Sequence, residues 1–254
     1  MAKQIIAIAN QKGGVGKTTT AVSLAAQIAS TDRTVLLLDL DPQGNATSGL
    51  GLDRDALNLT TYDVVCTKEE LANVVRETRT KGLFILPANS QLAGAEVELV
   101  NADNREYLLA QALKFASFDY IIIDCPPSLG LLTINALAAS DSVLIPVQAE
   151  YYALEGLGQL LNTIQRVRQT INQRLELFGV LVTMYDKRTG LSEQVLQEIN
   201  KYFGEKTFRT VIPRNVRLAE APSFGKTIYE HDRWSKGART YKQLAKEVMK
   251  RADD

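Results

Sequence analysis

Lys17 follows Gly16 and precedes Thr18, and a second lysine, Lys12, stands upstream with Gly13, Gly14 and Val15 between. These residue types in this order describe a site for a polyphosphate. Glycines let backbone N–H groups converge on an anion, because no Cβ blocks the tight turn. The Lys17 ammonium can reach β- and γ-phosphates, and the Thr18 hydroxyl can ligate Mg²⁺. Lys12 stands near where the general Gly-x-x-x-x-Gly-Lys-Thr pattern writes its first glycine, so the phosphate site carries a second cation. Two carboxylate motifs accompany it. Asp39 and Asp41 close the apolar run Val35-Leu36-Leu37-Leu38, and being two apart they share one side while the strand geometry lasts. Pro42 favours an extended backbone at Asp41 and ends the strand. A carboxylate there can hold Mg²⁺ through water or orient an attacking water. Asp124 closes a second apolar run, Tyr120-Ile121-Ile122-Ile123, in the Walker-B manner, where an acid reaches the Mg²⁺ shell from the neighbouring strand. Pro126-Pro127 then makes a stiff turn that could respond to a γ-phosphate. Cys125 reads as a small core residue rather than a nucleophile.

The elements that must position these groups are legible as apolar runs and helical spacing. Strands are expected over residues 4–9, 34–39, 83–86, 120–124, 142–147, 178–183 and 207–211. The runs are continuous rather than alternating, as in parallel strands buried on both faces. Helices are expected over 18–29, 106–115, 131–139, 154–171, 191–203 and 238–249, the last two with apolar pairs such as Val195 with Ile199 and Leu244 with Val248. Alternating strands and helices imply an α/β fold: one doubly wound, mostly parallel sheet flanked by helices, with the ligand beyond the carboxyl ends of the strands. The phosphate loop then opens the first helix, whose N-terminal partial charge adds to the anion site. No linker or repeat divides residues 1–254, so a single P-loop domain is expected.

Composition narrows the setting. The 254 residues contain no apolar run near the roughly 20 needed to span a bilayer. Residues 1–4 lead directly into the first strand, so no signal peptide is expected. Cys66 and Cys125 are too few and too far apart for a CxxC motif, which favours a reducing compartment. Net charge is zero, yet residues 1–169 hold 13 Lys/Arg against 18 Asp/Glu, and residues 170–254 hold 16 against 11. Such asymmetry hints at an anionic partner, although on charge alone a solvated, lysine-bearing surface on amphipathic helices is the better account. Residues 49–81 carry no motif, Glu69, Glu70, Arg76, Arg79 and Lys81 reading as a solvated helix and turn, and His231 reads as structural or exposed.

Lys-Gly-Gly-Val-Gly-Lys-Thr-Thr at 12–19, Asp-Leu-Asp-Pro-Gln-Gly-Asn at 39–45 and Asp-Cys-Pro-Pro at 124–127 together resemble the ParA/MinD family of deviant Walker ATPases. The runs at 146–156, 182–186 and 212–226 place the resemblance in its chromosomal, Soj-like ParA branch and extend it over nearly the whole chain. The first strand is expected to start at Gln4, so the N-terminal DNA-binding extension of large plasmid ParA proteins is not expected. The resemblance implies a weak, partner-stimulated ATPase that binds ATP or ADP with Mg²⁺ and switches as an ATP-sandwich homodimer in chromosome or plasmid segregation. It implies that Lys12, Gly13, Gly14, Val15, Gly16, Lys17, Thr18 and Thr19 cradle the nucleotide, with Lys12 reaching the partner subunit's phosphates as an arginine finger does. Asp41 matches the position that orients the hydrolytic water, and Asp39 its supporting neighbour. Thr18 would ligate the metal, with Asp41 and Asp124 acting through water. Pro213 and Asn215 match an adenine-contacting loop, and Arg188 and Arg217 match arginines that bind double-stranded DNA without sequence preference. A ParB-like activator with a basic segment, a cytoplasmic, nucleoid-associated location and no membrane partner are further implications.

Other users of such a P-loop need features that differ here. A membrane-positioning MinD-type ATPase needs a C-terminal amphipathic helix with a bulky apolar face, whereas residues 244–254 offer little and end in acids. A nitrogenase-type iron–sulfur protein needs paired cluster cysteines. A dethiobiotin synthetase-type ligase would bury a substrate pocket and would not need Lys12 in trans. A relative that positions a protein assembly would share the ATP and DNA chemistry and differ only in its partner.

Overall fold

Six of the seven expected strands form, and their carboxyl ends line up where the motifs need them. A computed structural model describes residues 4–150 and 156–253. The strands are β1 (Gln4–Ile8), β2 (Val35–Asp39), β3 (Arg76–Glu77), β4 (Leu83–Leu86), β5 (Tyr120–Asp124), β6 (Ser142–Gln148) and β7 (Glu176–Thr183). They make one sheet in the order β3-β4-β2-β5-β1-β6-β7, parallel throughout except for the β3–β4 pair. Register sets Asp124 of β5 against Ile8 of β1 on one side and Asp39 of β2 on the other. The phosphate loop that follows β1 therefore emerges beside two carboxylates.

Both faces of the sheet are covered, which is why its strands read as unbroken apolar runs. On one face Ile6, Ile8, Leu37, Ile122, Leu144 and Leu181 pack with the Lys17–Ala29 and Lys236–Asp253 helices. On the other, Leu36, Leu38, Ile121, Ile123, Val143 and Val180 pack with the Leu131–Ala139, Leu157–Thr170 and Gly190–Phe203 helices. Thr20 and Tyr241 join the first pair of helices by a buried hydroxyl–hydroxyl hydrogen bond of 3.1 Å.

Three expectations are corrected. Residues 207–211 are not a strand. The Phe208 N–H donates to the Val180 carbonyl, but the Arg209 and Thr210 N–H groups turn to the Glu247 carboxylate, and the ladder breaks into an isolated bridge at Thr207. The helix expected over 106–115 splits into a 3-10 turn at Arg105–Tyr107 and a short helix at Leu108–Ala112. The buried Asn135 side chain causes the split: its Oδ1 accepts from Leu109 N, and its Nδ2 donates to the Arg105 carbonyl. That amide stands where an intrahelical bond would run. The segment 49–81 holds the antiparallel β3, too short to leave a period in the sequence. The start expected at 154 for the helix observed at Leu157–Thr170 lies outside the described residues.

Candidate functional site

The loop after β1 is built by glycine geometry and pinned from two strands. Gly14 (φ +73°) and Gly16 (φ +88°) are left-handed, and Gly16 caps the Lys17–Ala29 helix, whose first turn holds no acid to offset its partial positive charge. Asn10 donates from Nδ2 to the Pro146 carbonyl (2.7 Å) and accepts from Lys12 N (2.9 Å). Thr183 at the end of β7 donates its hydroxyl to the Val15 carbonyl at 2.8 Å. The loop is thus held at both shoulders before any ligand arrives.

The two lysines occupy different settings. Lys17 is buried, and its Nζ donates to the Lys12 carbonyl at 3.1 Å. Burial pushes its pKa down, and Asp124 and Asp41 oppose that shift. An anion in the cradle would relieve the same desolvation. The Lys12 side chain is half exposed, and its Nζ lies 3.6 Å from Glu150 Oε2 just past β6. Arg214 Nη2 approaches the other oxygen of Glu150 at 3.9 Å.

The carboxylates fall into an order of increasing constraint. Asp41 is buried, and its Oδ1 accepts from Gln43 N of its own turn at 2.9 Å. Asp39 is fully buried: Oδ2 accepts from the Thr47 amide (2.8 Å) and hydroxyl (2.7 Å), and Oδ1 from Asp41 N (3.2 Å). It therefore holds the turn that carries Asp41. Burial raises its pKa, and the Thr47 bonds work against that rise. Asp124 is also fully buried, yet neither of its oxygens has a hydrogen-bond partner of ordinary geometry. Desolvation and the Asp39 charge push its pKa well up, and the nearby Thr18 hydroxyl offsets this only in part. Two orphaned carboxylate oxygens beside a threonine hydroxyl are hard donors, and they fit a Mg²⁺ shell completed by waters and phosphate oxygens. Among the described residues no cluster of three His, Cys, Asp or Glu could hold a metal alone. Cys125 is buried, and its surroundings push the thiol up, as befits a core residue.

Pro213 is buried and bridges to Tyr185, while Asn215 caps the Val216–Glu220 helix by accepting from Arg217 N at 3.0 Å. The Asn215 amide nitrogen is then the group that can address a base. Arg188 lies in the turn after β7, and Arg217 lies in the first turn of the Val216–Glu220 helix. Their loops are joined by backbone bonds from Tyr185 N to the Ile212 carbonyl and from Arg214 N to the Tyr185 carbonyl. Two arginines far apart in sequence are thereby brought to neighbouring loops. His231 stacks on Phe224 and lies 3.6 Å from Glu220, a structural setting. The sequence reading missed Asn10, Thr47, Thr183 and Glu150. Each is a lone polar residue whose task appears only when a strand end from elsewhere meets it.

A family model described as an AAA domain matches residues 3–177. The chain is 57% identical to the sporulation initiation inhibitor protein Soj of Bacillus subtilis, covering 96% of this chain and 98% of that protein. It is 54% identical to the chromosome partitioning protein ParA of Myxococcus xanthus, covering 98% and 88%. A crystal structure titled cobyrinic acid a,c-diamide synthase of Mycobacterium smegmatis, with bound ADP and magnesium, superposes with a TM-score of 0.88. It shares 40% identity, and the match covers 100% of this chain and 96% of that one. No helix among the described residues is long and apolar enough to cross a membrane.

Proposed function

The chain belongs to the ParA/Soj family of chromosome-partitioning ATPases, and from that premise we propose that it is an ATP-gated dimer that carries a partition complex over DNA. The observation that carries the reading is the division of labour between its lysines. Lys17 is buried in its own cradle, while Lys12 is held at the surface on Glu150, 3.6 Å away. A half-exposed ammonium beside a phosphate site is placed to serve a second subunit facing it.

In this reading the loop N–H groups, Lys17 and the helix N-terminus bind the β- and γ-phosphates. Thr18 and Asp124 hold Mg²⁺, which neutralises charge on the phosphate oxygens. Asp41 orients the attacking water, and Asp39 fixes Asp41 through its backbone N–H. Lys12 from the partner subunit adds a second cation to the transition state, in trans. Turnover is therefore slow until a ParB-like activator and DNA favour that geometry. The dimer places two copies of Arg188 and Arg217 on DNA phosphates, and hydrolysis releases it.

Light scattering after size exclusion, with and without ATP, tests the assignment. Lys12→Ala should retain nucleotide binding and lose ATP-driven dimerisation, whereas Lys17→Ala should lose binding itself. A Lys12→Ala protein that dimerises fully would refute the trans role.

A further inference from the structure

Both arginines assigned to DNA are already occupied. Arg188 makes a two-pronged pair with Asp186, Nη2 to Oδ2 at 2.7 Å and Nε to Oδ1 at 3.0 Å, although its side chain is 86% exposed. Arg217 Nη1 donates to Glu220 Oε2 at 2.9 Å, and its Nε lies 3.8 Å from Asp232 Oδ2. The pairing is felt by the acids as well. Arg188 holds the Asp186 carboxyl well below the usual range, and Arg217, helped by His231, holds that of Glu220 down. Two loops from different parts of the chain thus repeat one arrangement: an exposed guanidinium with a carboxylate two or three residues away in sequence. Asp186 Oδ1 also accepts the Arg188 N–H in the turn, but the side-chain pairing itself adds little stability at so exposed a site.

We propose that Asp186, Glu220 and Asp232 are built-in competitors for DNA phosphate, and that this competition confines DNA binding to the dimer. The inference rests on the DNA-binding reading above. A phosphate oxygen offers guanidinium the same bidentate geometry as a carboxylate, so each arginine must exchange one for the other. The displaced carboxylate then sits beside the DNA backbone and repels it. Each exchange weakens binding by about 1.4- to five-fold, the measured span of exposed ion pairs. A single subunit with two clasped arginines falls below useful affinity. A dimer doubles the contacts, and its second half binds at the high effective concentration set by the first. Nucleotide control of DNA binding is thereby written partly into the surface, not only into the interface between subunits.

The test removes the acids while keeping their shapes. Asp186→Asn keeps Oδ1 for the Arg188 N–H bond that shapes the turn, and Glu220→Gln keeps the side-chain length. The control, Asp32→Asn with Glu205→Gln, removes the same charge. Those exposed acids lie at the amino-terminal end of the sheet, ahead of β2 and beside the start of β7, away from both arginines. Fluorescence anisotropy with a short duplex of arbitrary sequence is measured in ADP and in ATP, with light scattering for the dimer. The double variant should bind about ten-fold tighter in ADP, so that DNA binding no longer requires the dimer, dimerise normally in ATP, and gain at least as much affinity in ATP, where twice as many exchanges are relieved; the control should match wild type. If wild type binds DNA in ATP and the double variant binds no tighter than the control, the competition is overturned and the DNA reading stands. If wild type fails to bind DNA in ATP, the DNA reading falls and takes the competition with it.

Discussion

At the scale of single residues, the site is a contest between burial and charge, and two substitutions separate its parts. The Asp41 carboxylate is held by the Gln43 N–H of its own turn rather than by the core. Asp41→Ala should therefore bind ATP and dimerise, yet lose at least 100-fold in hydrolysis, on the order expected when a water-orienting group is removed; phosphate release with DNA and activator measures it. Asp124 is the reverse case, a fully buried carboxylate whose oxygens make no hydrogen bond of ordinary geometry. Its raised pKa means that the folded protein binds the proton more tightly than the unfolded chain, so the nucleotide-free fold loses stability as pH rises through that raised value. Asp124→Asn should raise the Tm of the nucleotide-free protein at pH 8 by several degrees and abolish the further rise that ATP with Mg²⁺ gives wild type. Thermal scans at pH 8 and pH 5 check the sign, the gain from the substitution shrinking at the lower pH. Asp39, Asp41 and Asp124 were legible because each ends a strand buried on both faces, where an acid among Leu and Ile stands out. Glu150 and Thr47 were not legible, because nothing local distinguishes an exposed glutamate or a helix threonine from its neighbours.

At the scale of elements, the long runs were readable and the interruptions were not. β1, β2, β5 and β6 announced themselves by continuous apolar sequence, and the glycine turn marked the start of the first helix. The break near Leu108 depends on Asn135, contributed by another helix, and local propensity holds no record of it. Likewise the 207–211 run has strand composition, but Glu247 takes two of its N–H groups. Asn135→Ala would strand the Arg105 carbonyl and the Leu109 N–H in the core. It should cost about 2 kcal/mol or somewhat more, two unsatisfied groups at about 1–3 kcal/mol each with the Arg105 carbonyl only partly buried, read as a lower urea midpoint with unchanged slope. ATP-driven dimerisation of the folded fraction should persist, since the helix that Asn135 serves is remote from the phosphate loop.

At the scale of the whole molecule, a chain of zero net charge meets DNA through the uneven placement of its charges. The excess of Lys and Arg after residue 169 is concentrated on the loops and helices that follow β7. Phosphate contacts carry no base information, so binding should be indifferent to sequence and fall steeply with salt. Arg188→Glu and Arg217→Glu should each reduce ATP-dependent DNA binding below detection in a mobility shift while light scattering still reports the dimer. Retained binding in both would move the surface elsewhere, to Lys236, Arg239 and Lys242.

One packing feature reaches beyond the finished protein. The helix that begins at Lys17 is roofed by the helix at Lys236–Asp253, sealed by Thr20 against Tyr241. A ribosome makes these partners far apart in time. The emerging chain displays the phosphate motif early but cannot cover the helix behind it until residues 236–253 follow. A chain stopped just before Lys236 would keep Lys12, Lys17, Asp41 and Asp124 yet leave that helix uncovered, and should be unable to enter the switch cycle.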